Sequence, residues 1–172
     1  MSVPTTIWLG VAISVLIPVL FFTFEYRIER KAAYVTLTPF KRMRDPSTGD
    51  IIGAPEEVSF DPRHGHYLKC SEVLITLASA SLVFIPTLHV SSILPKLAFS
   101  IVLLGFTVVY ALLFMALLTY FYEMFLFDPA SFTAFRSSLI FTLGFSAFLC
   151  FALAYLVLSI ITGIAIANGS LA

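Results

Sequence analysis

The chain has 172 residues, of which 59% are hydrophobic, 15% aromatic and only 12% charged, with a mean hydropathy of +0.99. Soluble domains average about 25% charged residues, so this composition excludes an ordinary cytosolic enzyme, a disordered tail and a nucleic-acid binder with a basic face. Ten Lys and Arg balance ten Asp and Glu, which points to no anionic partner, and two cysteines cannot build a disulfide framework.

What remains is an all-α membrane protein, a single membrane domain over 1–172 with four transmembrane helices. A spanning helix needs about 20 consecutive, mostly apolar residues, and the first such stretch runs from Val3 to Phe24 without a charge. It lacks the basic n-region and the small-residue cleavage site of a signal peptide, so it reads as a retained helix. Thr6, Gly10 and Ser14 are spaced by four along it. Stripes of small residues at this spacing let membrane helices approach closely and give hydroxyls a partner across the gap.

The inner loop, 25–72, is the one sizeable polar region and holds eight of the ten basic residues. Lys and Arg in short loops mark the cytoplasmic side, or its organellar equivalent. The loop 25–72 is therefore expected on the cytoplasmic, matrix or stromal side, with both termini outside. Tyr34–Phe40 alternates in strand fashion, and Asp45-Pro46-Ser47-Thr48-Gly49-Asp50 follows with turn chemistry before Ile51-Ile52. A short β-hairpin on the inner membrane surface is the expectation, needing the bundle or a partner to hold it. Lys41, Arg42 and Arg44 read first as the solvated flank of that turn. Their functional alternative is contact with lipid phosphate or a partner's acidic surface.

Asp61-Pro62, and later Asp128-Pro129, have the chemistry of a helix start, with Asp capping free amides and Pro at the first helical position. Asp61, His64, His66 and Cys70 are competent metal ligands by type. On a helix His66 and Cys70 share a face, but His64 and His66 point about 200° apart. His66 and Cys70 are thus the nearest approach to a metal pair, in a segment read as a polar collar with no metal site.

The second span is expected at Val73–Leu94, carrying the stripe Glu72, Thr76, Ser79 and Val83 and one histidine, His89. Haem held by two imidazoles needs a second histidine at matching depth, and His64 and His66 lie on the inner side. The third span is expected at Leu97–Tyr122, started by Pro95, and the fourth at Ser137–Ala167. Ser146 invites comparison with an intramembrane serine nucleophile, but it falls about 10 Å from the depth of His89, the base it would need. Cys150 reads as a small core residue. Ser159, Gly163 and Ala167 repeat the small-residue spacing. Ten phenylalanines crowd the inner halves of the last two spans, suited to lipid or to the apolar pockets of neighbouring subunits.

Acidic and basic residues inside a membrane mark transport paths, and none falls within these four stretches. No catalytic or cofactor-binding residue is nominated, and neither enzyme activity nor a cofactor is expected. The packing stripes Gly10 and Ser14, Thr76 and Ser79, and Ser159, Gly163 and Ala167 are read as the bundle's own core, with the Ser159 stripe best suited to an external partner. The expected role is a non-catalytic accessory or scaffolding subunit of a larger membrane complex, with a respiratory or photosynthetic assembly a natural host. Its partners would be other membrane subunits and lipids, and no nucleic acid. The alternative is a small homo-oligomeric channel or carrier lined by the second span.

Overall fold

The computed structural model describes residues 3–31, 61–85, 94–127 and 134–167, and every regular element among them is helical. Four helices follow in order, α1 Val3–Lys31, α2 Asp61–Phe84, α3 Leu94–Phe127 and α4 Ala134–Ala167. Each contains a stretch long and apolar enough to cross a membrane: Val3–Ile28, His64–Phe84, Leu97–Met124 and Phe135–Ala167. The described residues thus form an all-helical fold whose four helices are suited to span a membrane. The expected hairpin, together with Lys41, Arg42, Arg44, His89 and Asp128-Pro129, lies outside the described residues.

The second helix departs most from the sequence expectation. It starts at Asp61, twelve residues before Val73, and ends at Phe84 rather than Leu94. Asp61-Pro62 starts the helix as its chemistry predicts, so Lys69 and Glu72 sit on a helix instead of in a loop. Pro86 accounts for the early stop, because proline disfavours helical geometry in the residue before it and has no N–H to continue the ladder. The first helix likewise continues past Phe24 to Lys31, and the third past Tyr122 to Phe127. The segment 25–72 is therefore largely helical at both ends.

Tertiary contacts fix the directions. Gly10 lies beside Val102, and Ser14 beside Tyr110, so α1 and α3 run the same way. Phe21 meets Phe145 and Phe22 meets Phe135, so α4 runs against α1. His64 stacks on Tyr122 and Tyr67 meets Phe114, so α2 runs against α3. The α3–α4 pair forms the centre, with α1 and α2 in its two grooves; among the described residues α1 and α2 do not touch.

Two apolar clusters hold the bundle. One gathers Ile17, Ala78, Ile85, Leu103, Leu104, Cys150 and Ala154 from all four helices. The other packs Phe114, Leu118 and Phe121 of α3 against Ile140 and Leu143 of α4. Gly144 makes the second possible: a methyl group on it would stand 2.9 Å from the edge of the Phe114 ring. The expected phenylalanine crowd is accordingly divided, with Phe114 and Phe121 buried and Phe135 and Phe148 more than half exposed.

Pro18 lies inside α1. It cannot donate to the carbonyl four residues earlier, that of Ser14. The Tyr110 hydroxyl donates to that carbonyl instead, at 2.9 Å. A neighbouring helix thus supplies the hydrogen bond that the proline removes, the usual way such a residue is tolerated in a spanning helix.

Candidate functional site: a polar end and a buried hydroxyl column

The directions of the helices bring together the end of α1, the start of α2, the end of α3 and the start of α4. Polar chemistry collects there from every helix. Glu25 is buried at 3% exposure although it lies inside the apolar stretch Val3–Ile28. His64 stacks on Tyr122 with ring centroids 4.6 Å apart. The Arg136 guanidinium sits 5.5 Å from the centre of the Phe121 ring, a distance at which the ring face attracts a cation. Ser137 and Ser138 follow on α4, both fully enclosed. The contact of Phe22 with Phe135 sets Glu25, one turn further along α1, at the level of this α4 start.

The observed apolar stretches run beyond the expected spans, so they take in Lys69 and Glu72 and also Glu25, one residue past Val3–Phe24. The sequence carries a signal for it: Glu25 is eleven residues after Ser14, about three turns, and so on the same face of the helix. Gly10 and Ser14 are buried there, and Glu25 continues their line into the bundle.

From the polar end a line of hydroxyls enters the core. Ser138, Thr142 and Ser146 recur every four residues on α4, each at most 2% exposed. Cys150 and Ala154 complete the line, both buried. Hydroxyls in helices usually bond back to a carbonyl of the preceding turn. Ser14 does so to Gly10 at 2.8 Å, Ser71 to Tyr67 at 2.9 Å and Thr107 to Leu103 at 3.0 Å. The side-chain oxygens of Ser138, Thr142 and Ser146 instead have no hydrogen-bond partner. Sequence reasoning singled out Ser146 alone; the four-residue repeat was the signal for the other two.

Chemically, the column offers weak donors and acceptors in an apolar wall, and the polar end offers a carboxylate, an imidazole and a guanidinium. Burying an unsatisfied hydroxyl costs about 1–3 kcal/mol. Ser138→Ala, Thr142→Val and Ser146→Ala are therefore expected to leave the thermal stability of the detergent-solubilised protein unchanged or raised, by up to about 1 kcal/mol each. A drop in melting temperature with all three would show that the hydroxyls hold the bundle together.

The other candidate residues divide by helix. Gly10 and Ser14 are buried against α3. Thr76 is exposed and Ser79 half-buried on α2, while Ser159, Gly163 and Ala167 are all exposed on α4. His66 and Cys70 are exposed on α2. Among the described residues no three or more His, Cys, Asp or Glu side chains are placed to hold a metal ion. No family model matches the sequence, and neither curated proteins nor solved structures yield a match.

Proposed function

We propose that this protein is a non-catalytic accessory or scaffolding subunit of a larger integral membrane complex. It would be joined to its neighbours through helix faces turned away from its own bundle. The observation that carries this reading is a pair of charged residues, Lys69 and Glu72, exposed on the outer face of α2. Lys69 and Glu72 are five and eight residues after His64, where the apolar stretch of α2 begins, so about 8 and 12 Å inside it. An ionised residue facing lipid at the centre of a spanning helix costs about 2.5–3.5 kcal/mol. Lys69 can extend its stem toward the interface; the shorter Glu72 has less reach. A protein neighbour on this face removes the cost.

A second outward face supports the same reading. Ser159, Gly163 and Ala167 lie outside the bundle, and a methyl group on Gly163 would meet nothing within 4 Å. Small residues on a spanning helix permit close approach by another helix. The polar end, which adjoins the basic segment, would face the cytoplasm, matrix or stroma.

The channel alternative uses the α2 face as a pore lining. There the Thr76 hydroxyl donates to the Glu72 carbonyl at 2.8 Å, which leaves no proton for a passing anion while its oxygen stays open to a cation. The discriminating experiment is recovery of the tagged protein from its native membrane in mild detergent, with mass spectrometry of its companions. Unrelated membrane subunits are expected in stoichiometric amount. Gly163→Leu, placed in open space, should fold normally and lose those companions at least tenfold. Recovery of the protein without companions would end the accessory reading.

A further inference from the structure

Resting on the reading that α2 is covered by protein, we infer that its occupant is a second copy of this chain, docked across a two-fold axis normal to the membrane.

The outer face of α2 is self-complementary. Lys69 and Glu72 are both exposed, separated by three residues, which puts them about 60° apart around the helix and about 4.5 Å apart along it. Thr76 and Val83, also exposed, lie between their directions on the following turns. When two copies of α2 meet in parallel along the line through Thr76 and Val83, Lys69 flanks one side of the seam and Glu72 the other. The two-fold axis then brings Lys69 of each copy opposite Glu72 of the other. Both charges at this depth are neutralised by one symmetric contact, as an isologous interface requires.

The seam is built for close approach. Gly65 stands at its polar end, where an added methyl group would meet nothing within 4 Å. Ala80 is exposed and Ser79 half-buried at its other end. Small residues beside a reciprocal ion pair allow the helices to come near enough for the pair to form without water. An arbitrary partner would need a complementary acid and base of its own at matching depth; a second copy supplies both.

The test is made on the full chain in its native membrane. Cys70→Ser is combined with Thr76→Cys, placing a thiol at the centre of the seam, and oxidative crosslinking is scored. Efficient disulfide-linked dimer is expected, with little from Leu77→Cys on the flank. Lys69→Glu or Glu72→Lys alone should reduce the crosslinked fraction at least tenfold, since each puts like charges together. The double reversal, Lys69→Glu with Glu72→Lys, should restore at least half of it. Single-molecule photobleaching of the fluorescently tagged parent protein should show two copies. One copy per particle would overturn the inference, and so would a double reversal that crosslinks no better than either single change. One copy recovered with unrelated subunits leaves the accessory reading standing and ends the self-pairing. Two copies recovered without companions do the reverse.

Discussion

Tyr110→Phe is expected to destabilise the bundle by about 1–3 kcal/mol, and the loss should vanish in a chain that also lacks Pro18. The phenol oxygen is the only atom removed, so the packing of the ring beside Phe106 is kept. What changes is the Ser14 carbonyl, which accepts from Tyr110 at 2.9 Å. Pro18 cannot serve that carbonyl, and Ser14 is fully buried within the bundle. In Pro18→Ala the residue at 18 regains its N–H and the helix can close its own ladder onto Ser14. Tyr110→Phe should then cost little, and the two changes should couple strongly in a double-mutant cycle. The measurement is the unfolding midpoint of the four proteins in one detergent. Additive losses would show that Tyr110 and Pro18 act independently and that the carbonyl finds another donor.

The same contact marks where the sequence stops being readable. Four spans follow from apolar runs, and a proline inside the first of them, Pro18, is a residue the sequence reading did not weigh. That Tyr110 replaces the hydrogen bond it removes depends on the register between α1 and α3, which no single helix encodes. The second span shows a different failure. Lys69 and Glu72 interrupted the apolar run and pulled the expected boundary to Val73, although Asp61-Pro62 already had the chemistry of a helix start. Weighing the cap and the stop at Pro86 above the hydropathy run recovers the helix as observed, Asp61–Phe84. Among the packing stripes, spacing alone could not separate inward from outward faces. Gly10 and Ser14 turn inward because α1 lies in the groove between α3 and α4. Thr76 and Gly163 have the same spacing and face out, and that difference decides which faces remain for partners.

Glu25→Lys is expected to be the most damaging single change at the polar end, costing about 3–5 kcal/mol, the range for stranding an uncompensated charge in a protein interior. Glu25 is 3% exposed on the buried face of α1. Phe22, one turn before it, meets Phe135, the residue preceding Arg136. A lysine at position 25 would bring a buried cation to the end of the bundle where the half-buried Arg136 already lies over the Phe121 ring. Glu25→Gln keeps the length and the hydrogen-bonding oxygen while removing the charge. It should cost clearly less than the lysine, and the difference between the two isolates the electrostatic share. If Glu25 instead carried a proton or ion through the membrane, Gln would preserve stability while abolishing flux in liposomes. Under the assembly reading, the glutamine variant folds, shows no change in flux from the parent protein, and keeps its companions in the detergent pull-down. Equal stability for the lysine variant and the parent would mean that Glu25 reaches water and is no part of the bundle's interior.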